Sequence, residues 1–250
     1  MAEGDGVVKS AGRVLGLLQV FAEHRRPMRV SEIAQAMGIP QSSTSMLLKT
    51  LTAMGYVSFD AEAKAFRPTL RVALLGAWLN EEFAAEGSVD EMMVEMARAT
   101  ADTVILAVEN GVWSEYIHVV QSEQDLRYAL RPGTRRPLSA TNLGRVLLAA
   151  KPDDEIERII RRINAEAAAG DRRFDIAATL EAVHGIRRDG YSFTHNLISS
   201  GASVIALPMP VPPGYKPMAI GIGGPTDRLE RGREMILAEM RRLLSQYLGG

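Results

Sequence analysis

The chain has 250 residues, 46% hydrophobic and 24% charged, with a net charge of −1, a globular composition that excludes a protein coating nucleic acid through bulk positive charge. It has no cysteine, which excludes disulfides, thiolate zinc sites and a cysteine nucleophile. The charge is uneven: residues 1–80 carry nine Lys/Arg against six Asp/Glu, and residues 81–250 carry twenty against twenty-four, so a basic head precedes an acidic body.

Met1 to Ser10 holds no apolar stretch, and no uncharged apolar run approaches the roughly 18 residues that span a bilayer. A cytoplasmic protein without membrane contact is expected. Val14, Leu17, Leu18 and Phe21 recur at i, i+3, i+4 and i+7 and predict one apolar helix face, ended by Arg25-Arg26-Pro27. A short helix over 30–37 buries Ile33, Ala34 and Met37; Gly38 stops it and Pro40 blocks its continuation. A third helix opens at Gln41, turns Leu47, Leu48, Leu51 and Met54 inward and ends at Gly55. Residues 56–59 and 65–67 flank the polar turn 60–64 and read as a β-hairpin. Three helices and a hairpin make a winged helix-turn-helix over 1–68, followed by one linker helix over 69–86.

The remainder, 87–250, reads as an α+β domain. An amphipathic helix carries Met92, Met93 and Met96, and two strands, 103–109 and 112–120, meet at Asn110-Gly111. A third strand is expected at 126–130. Helices follow at about 140–150, 153–169 and 176–189. Strands at 191–195, 203–209 and 217–222 precede a closing helix over 228–247.

The chemistry that stands out lies at the third helix. Gln41, Ser42, Ser43, Thr44 and Ser45 are five small or amide-bearing polar residues in a row. At a helix N-terminus their hydroxyls, the amide and the free backbone N–H groups suit phosphates and base edges. Lys49 is that helix's only cation, Lys64 and Arg67 belong to the wing, and Arg13 and Arg29 complete the candidate DNA contacts. The plainer alternatives are a capping region and a protein-interaction module. His24, His118, His184 and His195 show no metal-ligand spacing, and Gly221-Ile222-Gly223-Gly224 lacks the following acidic residue of a dinucleotide site. No Walker or Gly-x-Ser-x-Gly motif is present, so neither catalytic residues nor a cofactor are expected. Arg131, Arg135 and Arg136 form a basic cluster, either an anion site or a solvated loop. An enzyme or a sensor-adaptor, using the second domain's pocket with the head as an interaction module, remains the competing class.

In order, Val8 to Leu18, Ser31-Glu32-Ile33-Ala34, Gly38-Ile39-Pro40, Ser42-Ser43 and Gly55-Tyr56-Val57 resemble the helix-turn-helix of the IclR-type bacterial regulators. Pro137-Leu138-Ser139-Ala140-Thr141-Asn142-Leu143-Gly144-Arg145, Ile186 to Tyr191, Ile205 to Pro208 and Gly223-Gly224-Pro225 are similar to that family's second domain. The resemblance implies a GAF-like effector-binding domain, a homodimer or dimer of dimers, a palindromic operator in double-stranded DNA, and a small organic effector. Matched to the family's pocket, the ligand-facing positions are Tyr128, Asn142, Leu143, Thr194, Ala202, Val204, Gly221 and Gly223. Relatives that bind small carboxylates place polar side chains at several of these. Two glycines and a valine instead imply a roomier, less polar pocket, suited to an aromatic acid, ester or amide. Met46 stands where many relatives carry a basic residue.

Overall fold

Helix α1 (Lys9–His24) buries Leu17, Val20 and Phe21, and α2 (Val30–Met37) buries Ile33 and Ala34. Helix α3 (Gln41–Ala53) adds Leu48 and Leu51, and the hairpin β1 (Val57–Asp60) and β2 (Ala65–Pro68) closes the cluster with Val57. The computed structural model describes residues 8–125, 127–168, 170–195 and 197–249, the side chains of Asn80 and Glu81 apart. Its packing divides the chain into two units, 1–79 and 80–250.

Two expectations for the first unit need correction. Met54 caps α3 and is 53% exposed, so it is not part of the buried stripe. The linker over 69–86 is not one helix but two, α4 (Leu70–Leu74) and α5 (Ala77–Phe83). Gly76 lies at the break, where an interior glycine costs about 1 kcal/mol relative to alanine. Leu70, Leu74, Leu75 and Trp78 are all more than half exposed, so burial within the chain does not offset that cost.

The second unit is built on a five-stranded antiparallel sheet. Its strands are β3 (Thr103–Asn110), β4 (Trp113–Val120), β5 (Arg135–Pro137), β6 (Ala202–Met209) and β7 (Met218–Pro225), in spatial order β5-β4-β3-β7-β6. Asn110 pairs with Trp113 across a two-residue loop in which Gly111 takes φ +63°, as a tight hairpin demands. Period-two alternation separates two cores. Val104, Leu106, Ile205, Leu207, Ile220 and Ile222 face α6 (Val89–Thr100) and α10 (Thr226–Leu248), where Met92, Met93 and Met96 are fully buried. Ile105, Ala107, Ala206 and Ala219 face α7 (Asn142–Ala149), α8 (Asp153–Glu166) and α9 (Ile176–Asp189).

The sheet differs from expectation at two places. Residues 127–130 form no strand (Leu126 lies outside the described residues), and the edge position beside β4 is taken by 135–137. Gln121 Nε2 donates to the Leu130 carbonyl, and Tyr128 packs over the sheet face at Gly223, so this segment is held by side chains rather than by a ladder. Residues 191–195 make a single bridge, Ser192 to Ala206, and then leave the sheet, because the Thr194 backbone is captured by Asn142. Among the described residues no helix is long and apolar enough to cross a membrane.

Candidate nucleic-acid interface and effector pocket

The turn between α2 and α3 is set by Gly38, at φ +64°, and by the Ile39 N–H donating to the Ala34 carbonyl at 3.2 Å. This left-handed cap ends α2 and lets the chain turn into α3. In its first turn Gln41 and Ser42 are exposed, and Ser43 and Ser45 are half-buried. Thr44 is fully buried, and its Oγ1 donates to the Pro40 carbonyl at 3.2 Å. Thr44 was expected to face DNA; it instead fastens α3 to the turn that precedes it. Ser42, Met46 and Lys49, at i, i+4 and i+7, form an exposed row, with Met46 69% exposed in its middle.

The wing is preorganised locally. Asp60 Oδ1 accepts from the N–H groups of Glu62 and Ala63, both at 3.0 Å, and Lys64 sits at φ +50° at the end of the turn. Lys64 and Arg67 are exposed, and Phe59 and Phe66 pair across the strands at 4.7 Å. Arg13 is half-buried on α1. Arg29 is exposed, and its N–H donates to Glu32 at 2.7 Å. Glu32 also accepts from Arg26 at 2.6 Å; these two bonds, Arg26's first, hold its carboxyl below the usual range. The ten candidate DNA contacts therefore divide. Gln41, Ser42, Lys49, Lys64, Arg67 and Arg29 present exposed side chains, Ser43, Ser45 and Arg13 are partly covered, and Thr44 is withdrawn.

In the second unit Tyr128, Asn142, Thr194, Ala202 and Val204 surround one small cavity, of about 20 Å³. That is room for a single water and not for an organic acid. The expectation of a roomy pocket fails for a packing reason. A Cβ on Gly221 would stand 2.7 Å from Val204 Cγ1 and 3.0 Å from Leu143 Cδ2, and one on Gly223 would stand 2.8 Å from Tyr128 Cδ1. The space the glycines leave is filled by Val204, Leu143 and Tyr128, as close-packed interiors require.

Asn142 is the centre of this region, and it is saturated. Its Nδ2 donates to the carbonyls of Thr194 at 2.9 Å and Val204 at 2.8 Å. Its Oδ1 accepts from Ser192 Oγ at 2.7 Å and the Thr194 N–H at 3.0 Å. All four amide valences are used, so its side chain ties α7 to β6 and the 192–194 segment. Asn142 opens α7, whose cap, Thr141, accepts the Gly144 N–H at 2.9 Å.

Below the pocket lies Tyr116, 2% exposed. Burial, and then the nearby Tyr128, push its hydroxyl up to about 12. The folded state thus holds the Tyr116 proton across pH 10–12 while the unfolded state releases it. By linkage, this residue's contribution to stability is complete below pH 10 and is lost as pH rises towards 12. Denaturant melts at pH 9 and pH 11 should show a smaller alkaline loss for Tyr116→Phe than for the parent chain. An equal loss in both would contradict this account.

A helix-turn-helix with an exposed polar first turn and a wing, followed in the chain by an α+β unit, defines a DNA-binding regulator of two parts. Residues 10–61 match the pattern described as the IclR helix-turn-helix domain, and residues 86–247 match that of the bacterial transcriptional regulator IclR C-terminal. The chain belongs to the IclR family of bacterial transcriptional regulators. It is 29% identical over 226 residues to the HTH-type transcriptional regulator KdgR of Escherichia coli, covering 90% of this chain and 86% of that one. It is 25% identical over 232 residues to the regulator BhcR of Paracoccus denitrificans, covering 93% and 83%. The fold is shared with the Thermotoga maritima IclR structure, at TM-score 0.64 and 19% identity over 97% of this chain and 99% of that one.

Proposed function

We propose that this chain regulates transcription as a sequence-specific operator-binding protein, acting as a homodimer or dimer of dimers, and that a small organic ligand in the second unit modulates that binding. The observation that carries the first part is the row Ser42, Met46 and Lys49 on α3, flanked by Gln41 and by Lys64 and Arg67 in the wing. Hydroxyl and amide groups with helix N–H donors suit base edges and phosphate, and cations at both ends suit the backbone. Self-association is supported by the exposed apolar residues Leu70, Leu74, Leu75 and Trp78 on α4 and α5 and the turn between them. Modulation requires that ligand prefer one arrangement of the assembly over another.

A gel-shift titration tests the DNA contact. Lys49→Ala should weaken binding about tenfold and reduce the slope of log affinity against log salt by about one, as loss of one phosphate contact does. Ser43→Ala should weaken binding less, with an unchanged slope. Unaltered affinity in both would move the reading element away from α3.

A further inference from the structure

We propose that the second unit carries a carboxylate-binding cavity beside the closed Asn142 pocket, with which it shares Leu197 and Ile198, formed by Arg136 and Arg172 over an apolar floor, and that it takes an organic monocarboxylate with a flat apolar body. The cavity measures about 430 Å³, within the range of small-molecule sites. Its apolar walls include Trp113, Ile163, Phe174 and Ile198.

The charges around it are unequally satisfied. Of its two carboxylates, Glu166 is paired with Arg162 at 2.6 Å, and Asp171 accepts the Ala168 N–H at 3.0 Å. Arg135, also at the rim, is paired with Glu115 at 2.9 Å. Arg136 and Arg172 have no such partner. The half-buried Arg136 guanidinium makes no hydrogen bond or ion pair among the described residues. Arg172 donates only to the Leu197 carbonyl at 3.3 Å and lies 5.4 Å over the Phe174 ring. Arg172 is exposed, but Arg136 is half-buried, and a half-buried cation without an anion is an unfavourable arrangement that a bound carboxylate relieves.

A further observation points the same way. Arg145, held by the Ser139 carbonyl at 3.2 Å and by Thr194 Oγ1 at 3.3 Å, also lacks a carboxylate. Burial, and then the charge of Arg172, push its guanidinium below its usual value. Positive charge therefore gathers at this end of the unit. The aromatic and branched walls supply little hydrogen bonding, so inorganic phosphate or a sugar suits them less than a ring with one carboxylate.

Binding itself does not depend on the operator reading; only its regulatory consequence does. The test is calorimetry on the full chain without DNA, using 3-phenylpropionate, with 3-phenylpropionamide and acetate as controls. The carboxylate should bind saturably, and both controls at least about tenfold more weakly. Arg136→Gln and Arg172→Gln should each weaken 3-phenylpropionate about tenfold or more. Ala167→Trp, at a residue that lines this cavity and not the Asn142 pocket, should fill the cavity and abolish binding. Val204→Ala, at the closed pocket, should leave affinity unchanged, with thermal melts confirming that each variant is folded. No saturable binding, equal binding of the amide, or affinity indifferent to both arginines and to Ala167→Trp would overturn the proposal. Loss on Val204→Ala alone would place the ligand in the other pocket and overturn it as well. If the ligand binds as described while operator affinity does not respond to it, the site stands and the ligand-modulated reading fails.

Discussion

Ser42→Glu is expected to weaken operator binding about a hundredfold or more at moderate salt, while changing the melting temperature little. Ser42 is exposed in the first turn of α3. A carboxylate there faces the phosphates the turn would otherwise attract. At about 4 Å and an effective dielectric near 20, two like charges cost about 4 kcal/mol, and a hundredfold loss is about 2.7 kcal/mol. The same carboxylate favours the helix itself, because it sits at the positive end of the macrodipole. Binding and stability should therefore move in different directions, which a folding defect would not produce. Anisotropy titration beside a thermal melt reads both, and unchanged affinity would show that α3 does not approach the backbone at this turn.

Gly144→Ala should destabilise the second unit by about 3 kcal/mol or more, at the upper end of what overpacking costs. A Cβ at Gly144 would lie 2.2 Å from the Leu138 carbonyl oxygen and 2.8 Å from its carbonyl carbon. Both are backbone atoms of the 3-10 turn Leu138–Ala140, so no side-chain rotation relieves the contact. Gly144 opens α7, whose Leu143, Val146, Leu147 and Leu148 are all buried, so displacing the helix disturbs the core on that face of the sheet. Gly185→Ala is the control of opposite sign. It lies inside α9, and its nearest neighbour would be the flexible Arg188 side chain at 3.7 Å. Helix propensity predicts a gain of about 0.5–1 kcal/mol there. Urea melts of the two variants decide the matter; a mild effect at Gly144 would contradict the close approach of α7 to the turn.

The parts of the fold that were legible in sequence are those whose ends are encoded locally. Helix α2 starts and stops where expected because Gly38 supplies its left-handed cap. Helix α9 does so because the Asp175 carboxylate accepts the Ala178 N–H at 2.7 Å and Gly190 ends it at φ +79°. The hairpin turn at Gly111 is of the same kind. Expectations failed where a distant partner decides. Residues 191–195 are drawn out of the sheet by Asn142, some fifty positions away in sequence. Thr44 reads as one more hydroxyl in a polar run, yet α3 turns it onto the Pro40 carbonyl.

The pocket shows the limit most clearly. A glycine in a strand announces a missing side chain but not what fills the gap, and at Gly221 and Gly223 the neighbours Val204, Leu143 and Tyr128 fill it. The larger cavity draws on Trp113, Arg136, Phe174 and Ile198 from four separate stretches of chain. Only the cluster Arg131, Arg135 and Arg136 signalled it beforehand, and of these Arg135 is paired with Glu115 while the half-buried Arg136 lines the cavity.

Sequence-specific reading of DNA by α3 is tested most directly by selection from random-sequence duplexes at a stated salt concentration, with the parent chain and Ser42→Glu run in parallel. The account predicts that the parent enriches one two-fold symmetric sequence and that the variant enriches none. Enrichment of no sequence by the parent, or of the same sequence equally by both, would contradict it.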